Sequence, residues 1–508
     1  MGRSVTADPS VQAHAEAAVQ ARTGAEVGAL VGRVAAGRDL VLQAIRAPER
    51  DGVEPVSVTA GSSASSAGKK GGGGKAGKAP AGSGGAGLQL DEDWVLEHAA
   101  MLERILPGGL DIVGFYVLCP AAAFVGAAAA LAGLVCAASK ELSGARDLPS
   151  LLVLHMDSVT GALTLREAGF GQLRPADVKL AGVADQMVTL QSRCELDLHL
   201  PVTDGQQELQ AAFQAATDAA ATRLRGALGL IGGRLAGPDV QLADLAAGGS
   251  SGPISVELLL QPASSLAFCT AAGGKAGSGL LHGRAEGSAA GGVALAGALD
   301  CRACVHRREP AAAAVDALRA DIKRSLQARM DALLDAAEQQ EEAAAAEQQA
   351  QQAQQRGGAG GAAAPPAAPP PQHPLFVPAG SAGKPLAVSL PCRAFVASAA
   401  AGRVPYSDYL FEGESSQAML GRLQMLLPWP ELAGAAVECL ETAAPAAVHT
   451  GSTAARAGGA KAAQGGTGQA GSSGSGAAAL PCTLVTAASM AAAALALAVG
   501  YLSLGGSQ

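Results

Sequence analysis

"LPGGLDIVGFYVLCP", residues 106–120, decides how the chain folds. Pro107, Gly108 and Gly109 stop any helix that reaches them: proline brings no backbone N–H, and glycine readily takes the left-handed conformation that ends a helix. Leu110 to Leu118 is a run of apolar, β-branched and aromatic residues, the composition of a strand buried on both faces. Alternation places Phe115 and Val117 on one face and Gly114 and Tyr116 on the other. Ile112, Phe115 and Val117 are then core residues, and Gly114 admits a close neighbour. Pro120 follows, and the alanine-rich residues 121–142 read as a helix. The competing reading makes the uncharged stretch 112–139 a membrane span. A strand followed by a core helix accounts for Pro120, which a continuous span leaves unexplained.

The neighbouring segments extend this pattern. "LDEDWVLEHAAMLERILPGG" (90–109) is an amphipathic helix, with Trp94, Ala99, Leu102 and Leu106 at helical spacing and Asp91, Glu92 and Asp93 at its start. Upstream, "PSVQAHAEAAVQAR" (9–22) is a short helix. "GALVGRVAAGRDLVLQAIRAP" (28–48) is a hairpin turning near Gly37 and Asp39. Strands are expected at 151–157, 162–168, 187–202, 254–260 and 297–307. In the third of these, Leu196, Leu198 and Leu200 alternate with Glu195, Asp197 and His199. A helix over 315–334 carries Val315, Leu318, Ile322, Leu326 and Met330 on one stripe. "LPCRAFVA" (390–397) resembles "LDCRACVH" (299–306), either as paired strands of one sheet or by coincidence.

Composition narrows the function classes. A chain of 508 residues has room for two or three domains. Aromatic residues make up only 3%, and alanine inflates the hydrophobic share. Tracts of Gly, Ala, Pro, Ser and Gln bury too little apolar surface to offset the entropy of ordering them. The net charge of −8 and the lack of a basic block interleaved with aromatics argue against nucleic-acid binding. Nine cysteines without disulfide-like spacing, and no apolar leader core, fit a reducing, cytosol-facing setting. The start "MGRSVT" fits the loose N-myristoylation pattern, with Gly2 and Thr6 in place. The uncharged stretch 482–504 is long enough to cross a hydrocarbon core of about 30 Å and is expected to be a C-terminal membrane anchor rather than a buried helix.

Several pieces, in order, resemble the odorant response abnormal protein 4 (Odr-4-like) family. They are the "MGR" start, "ALVGRVAAGRDLVLQAIRAP", "LDEDWVLEHAAMLERILPGGLDIVGFYV", "RPAD" (174–177), "CELDLHLPV" (194–202), "GALDCRACVHRREP" (297–310), "VDALRADIKRSL" and the terminal apolar segment. The resemblance implies a membrane-anchored factor for trafficking of G-protein-coupled receptors. It also implies a partner of the cysteine protease that processes the ubiquitin-fold modifier, at the endoplasmic reticulum. The long Gly, Ala and Gln inserts depart from the family pattern.

The helix, the glycines and the strand also resemble an MPN domain, the fold of zinc-dependent deubiquitinases. An active member needs a His-x-His pair and an Asp on zinc, and a Glu to activate the bound water. Here the strand continues into Val117, Leu118, Cys119 and Pro120. The eight histidines, His14, His98, His155, His199, His282, His306, His373 and His449, are scattered. Glu26 stands near the helper position with one residue missing from the usual spacing. Cys301 and Cys304 form a lone C-x-x-C on a strand, where residues three apart point to opposite faces, so they read as structural. His98, on the Trp94 helix, reads as a packing or capping residue.

The expected fold class is therefore α+β: an MPN-like N-terminal domain lacking zinc ligands, a second β-rich region with a helix, and a C-terminal single transmembrane helix. The expected domains are 1–202, MPN-like with a disordered insert at 50–88; 203–356, β-rich with an amphipathic helix; a linker at 357–384; a β/α segment at 385–445; a linker at 446–480; and the anchor at 482–504. The expected function is a non-catalytic membrane-anchored adaptor at the endoplasmic reticulum, single-pass with its N-terminal bulk in the cytosol. Its partners are proteins (the ubiquitin-fold-modifier-specific protease and membrane receptor clients) and the membrane, not nucleic acid. No catalytic, cofactor-binding or metal residues are expected, and no cofactor. The alternatives are a degenerate MPN-type isopeptidase and a multi-span membrane protein.

Overall fold

In the computed structural model the quoted stretch becomes a strand, Asp111–Cys119, in a closed seven-stranded barrel. The structure describes residues 4–35, 37–59, 87–142, 150–169, 172–200, 206–245, 252–260, 278–284, 293–357, 386–397 and 404–441. The first elements are β1 (Ser4–Ala7), α1 (Pro9–Ala21), β2 (Glu26–Ala35), β3 (Arg38–Arg46), β4 (Val56–Thr59), β5 (Gly87–Leu90), α2 (Glu92–Ile105) and β6 (Asp111–Cys119). Then come α3 (Ala121–Gly126), α4 (Ala128–Glu141), β7 (Leu152–Asp157), β8 (Leu163–Gly169), β9 (Gln172–Leu180), β10 (Met187–Leu200), α5 (Gln206–Gly226), β11 (Leu228–Ile231) and β12 (Arg234–Leu235). The remainder is α6 (Leu242–Leu245), β13 (Ile254–Leu259), β14 (Ser278–Arg284), β15 (Val293–His306), α7 (Ala311–Gly357), β16 (Leu386–Ser389), β17 (Cys392–Ala397), β18 (Tyr406–Leu410), α8 (Ser416–Leu426) and β19 (Ala436–Glu438).

The barrel runs β1-β3-β2-β6-β7-β8-β9 and closes through parallel pairing of β1 with β9. The helix before β6 ends where Pro107 removes a donor and Gly109 takes a φ of 81°. β6 is buried on both faces, as its continuous apolar run requires. Ile112, Phe115, Val117 and Cys119 share a core with α2 and α4. Val113, Tyr116 and Leu118 share another with α1. The alternation changes phase at Gly114, where the β2–β6 register also shifts, between Leu30 and Val31. A Cβ on Gly114 would run into the Leu152 carbonyl of β7, so glycine is what lets the two strands approach.

The second sheet runs β12-β11-β13-β10-β15-β16, with β14 also pairing β10. β10 and β15 pair antiparallel along their whole length. α5 and α7 cover this sheet, and Val315, Leu318, Ile322, Leu326 and Met330 of α7 are buried as their spacing predicts. β15 lies between two cores: Cys301 packs in the α7 core and Cys304 in the α2 core, the opposite-face placement expected of a C-x-x-C on a strand. A third sheet, β18-β17-β19, packs with α8.

Three expectations are corrected. The fold is a mixed α/β arrangement with a closed seven-stranded barrel, not an α+β protein with an MPN-like domain, a β-rich region and a transmembrane helix. The barrel closes through Ser4–Ala7, a four-residue strand too short to leave a periodic signal. No helix among the described residues is long and apolar enough to cross a membrane. Residues 112–139 are a barrel strand and two short helices divided near Pro120 and Ala127, which removes the multi-span reading. Finally, β17 does not pair with β15: it pairs with β18 and β19 in its own sheet. Gly2, the tracts at 60–86, 358–385 and 446–480, and the segment 482–504 lie outside the described residues.

Candidate functional site

Glu26 opens β2 directly opposite Leu118 and faces α1. That helix starts at Asp8, whose Oδ1 accepts from Ser10 N at 3.0 Å and whose Oδ2 accepts from Val183 N at 3.0 Å and Ala184 N at 2.9 Å. The carboxylate thus caps the helix and fixes it against the chain that follows β9. Six residues on, His14 Nε2 lies 2.7 Å from Glu26 Oε1 and 3.1 Å from the Tyr116 hydroxyl. Tyr116 also donates to Glu26 Oε1. Burial alone would push the Glu26 carboxyl up, but the hydrogen bond and charge of His14, and the hydrogen bond from Tyr116, hold it below the ordinary carboxylate range. Burial, followed by the Glu26 charge, pushes the Tyr116 phenol up.

Chemically this arrangement is a clamp. A water-activating carboxylate needs a metal-bound water beside it. Glu26 instead has its Oε1 occupied by two partners, and the neighbouring end of β6 carries Val117, Leu118 and Cys119, all fully buried. No group of three or more His, Cys, Asp or Glu among the described residues is arranged to hold a metal.

The other reactive side chains serve packing. Cys119 is pushed up to about 12 by burial and by the Asp157 charge, so it is a poor nucleophile. Burial pushes Cys304 to about 12 as well. The hydrogen bond with Cys194, together with burial, raises Cys301. His98 Nε2 sits 2.9 Å from the Leu426 carbonyl and joins α2 to the end of α8; burial lowers its pKa. His155 stacks on Phe124 at 4.3 Å, with its Nε2 2.9 Å from the Cys119 carbonyl and its Nδ1 3.1 Å from the Thr164 hydroxyl. His199 and His282 lie on the paired strands β10 and β14. His373 and His449 fall outside the described residues.

The glycines of the quoted stretch do more than stop a helix. Gly108 N donates to Asp321 Oδ1 at 2.8 Å and to the Arg302 carbonyl at 2.9 Å, and its own carbonyl accepts from Cys304 N at 2.8 Å. A Cβ on Gly108 would strike the Ala317 carbonyl and lie 2.5 Å from Asp321 Cβ. Here, therefore, α7 and β15 reach the barrel. A buried ion network surrounds the junction. Arg33 grips Glu309 at 2.6 and 2.7 Å, Arg393 meets Asp321 at 2.8 Å, and Arg302 meets Asp300 at 2.9 Å. The guanidiniums of Arg302 and Arg393 also lie 4.0 and 4.8 Å from the Phe395 ring centroid. Sequence reasoning missed this network, because its partners are separated by up to 276 residues.

The Odorant response abnormal 4-like family matches residues 28–433. The chain belongs to that family. The matched span takes in the Gly108–Asp321 junction, the second sheet and the barrel from Gly28 onward, whereas β1, His14 and Glu26 precede it. "Protein odr-4 homolog" of Homo sapiens is 24% identical over 273 residues, 48% of this chain and 56% of that protein. The Gallus gallus homologue is 24% identical over 267 residues, 48% and 57% of the two chains. The Xenopus tropicalis homologue is 23% identical over 214 residues, 40% and 43%. The chain thus spans about half the length of the curated relatives it matches, 43–57%. Among solved structures, UfSP from C. elegans aligns with a TM-score of 0.35 at 9% identity, covering 84% of this chain and 56% of that one. Protein DSY2949 from Desulfitobacterium hafniense aligns with a TM-score of 0.20 at 11% identity, covering 35% and 92%. Scores this low carry no shared fold. The Odr-4-like description names a response and no reaction, so no catalytic family is indicated.

Proposed function

We propose that the chain is a non-catalytic adaptor. In this reading it recruits the cysteine protease specific for the ubiquitin-fold modifier and serves trafficking of membrane receptor clients at the endoplasmic reticulum. The observation that supports it best is the Glu26 cluster: the one acid the sequence offered for water activation is held by His14 and Tyr116, beside the fully buried Val117, Leu118 and Cys119. Family membership supports the receptor-trafficking half. An adaptor of this kind would work through a rigid surface that holds other proteins rather than through a reacting group. The test is a pull-down with the intact protein in mild detergent. The protease and at least one polytopic receptor should be recovered in near-stoichiometric amounts. Recovery of neither would sink the reading.

A further inference from the structure

Two turns meet beside the Arg33–Glu309 pair. Arg38 opens β3 just after Gly37, whose φ of 73° turns the β2–β3 hairpin. Arg307 and Arg308 form the turn between β15 and α7. His306 links the two: its Nδ1 accepts from Arg38 Nη1 at 3.3 Å and from the Arg308 backbone N–H at 3.2 Å. Among the described residues Arg307 is anchored by its backbone, its N–H donating to the Gln186 carbonyl at 2.9 Å and its carbonyl accepting from Ala243 N at 3.0 Å. All three arginines are exposed.

The acid that closes the β15–α7 turn is already engaged. Glu309 is buried; its carboxylate takes the fork of Arg33 and, at 2.8 Å, the His306 N–H. Among the described residues, Arg38, Arg307 and Arg308 form no ion pair, in a chain whose net charge is −8.

We infer that this patch docks an extended acidic protein segment, with successive Asp or Glu carboxylates taken by the forks of Arg38, Arg307 and Arg308. The patch holds arginine and no lysine, and planar guanidinium forks match carboxylates two bonds at a time. The three groups are spread over two separate turns on an open surface. That spacing suits several carboxylates along one strand of chain better than a single small ion. An isolated positive patch on an acidic protein also steers and orients an acidic partner. His306 supplies a local reporter. Burial, then the charges of Arg38, Arg308 and Arg307, lowers its pKa against the opposing pull of Glu309. Carboxylates bound at the arginines would cancel that field and move the His306 titration upward. The patch would act in this way whether or not the protease is a partner.

The test uses the full chain and a fluorescein-labelled hexaglutamate peptide, read by anisotropy and by the imidazole signal that disappears in His306→Gln. Hexaglutamate should bind, weaken as salt rises, and lift the His306 titration. Arg307→Glu with Arg308→Glu should reduce affinity roughly tenfold or more, and Arg307→Lys with Arg308→Lys should lose part of it. If the double reversal melts early, Arg38→Gln on the other turn reads the same loss. Unchanged binding in these variants would overturn the proposal. So would binding of inorganic phosphate or phosphatidylserine vesicles without hexaglutamate, or self-association that buries the patch.

Discussion

Arg329 and Glu441 form a two-pronged ion pair across 112 residues, Nη1 to Oε2 at 2.7 Å and Nη2 to Oε1 at 2.6 Å, with each side chain only 1% exposed. The same carboxylate accepts from Asp300 N at 2.6 Å and Arg393 N at 2.7 Å. One side chain near the end of the described chain therefore ties α7, β15 and β17 together. Glu441→Ala would leave a buried guanidinium and two buried N–H groups without their acceptor, at a cost of about 3–5 kcal/mol. The melting temperature should fall by many degrees. Arg329→Met with Glu441→Leu should recover the part of the loss that comes from the unpaired guanidinium, while the two N–H groups still lack their acceptor. Equal loss in the single and double variants would show that the pair matters through packing instead.

Phe115 is fully buried in β6, so Phe115→Ala should cost about 3–5 kcal/mol in denaturant unfolding. Cys119 on the same face should resist alkylation in the folded protein, whereas the exposed Cys136 should react readily. Mass spectrometry after brief iodoacetamide treatment reads both sites. Equal labelling of the two would contradict the buried strand.

Gly114 and Gly24 give a matched contrast. A Cβ at Gly114 meets backbone, whereas at Gly24 it meets nothing within 4 Å. Gly114→Ala should destabilise by roughly 1–3 kcal/mol or more, since neighbouring strands must move. Gly24→Ala should stay within about 0.5 kcal/mol. A benign Gly114→Ala would refute the close β6–β7 approach.

Acid should weaken the fold in two stages. Burial lowers the pKa of His98, and burial with neighbouring arginines lowers that of His306. A histidine with a depressed folded pKa contributes stability above its unfolded value of about 6.5, and that stability is lost as pH falls through the folded value. Glu26, also depressed, contributes above the ordinary carboxylate range near about 4.3 and loses that contribution on further acidification. The drop in melting temperature between about pH 7.5 and pH 5.5 should therefore shrink in His98→Gln. Glu26→Gln should leave that interval unaltered and flatten the decline at lower pH. An unchanged profile in both variants would refute the assignment.

The sequence carried the local structure well and the long-range structure poorly. Helical spacing and acidic residues at the start located α2, Gly37 located the hairpin, and the β-branched run located β6 within one residue. The faces of Cys301 and Cys304 followed from strand geometry alone. α5 went unread because its Gln- and Ala-rich sequence masks Phe213, Ala220 and Leu224, which are buried at helical spacing. Barrel closure was illegible, since it depends on Ser4–Ala7 pairing with a strand that contains Pro175. The Glu26 cluster was only half legible. Glu26 drew notice by standing near a helper-glutamate position, but Tyr116 is 90 residues away and looked like one more core aromatic. Arg302 and Arg393 sit at matching places in two similar stretches; what they share is the Phe395 ring, not a strand pairing.

Hydrolysis of a fluorogenic ubiquitin-fold-modifier substrate by the purified full chain, with zinc supplied and with chelator added, tells most directly whether this chain is an adaptor or an enzyme. No release above the blank is expected in either condition. Zinc-stimulated release that disappears in Glu26→Gln would contradict the adaptor reading.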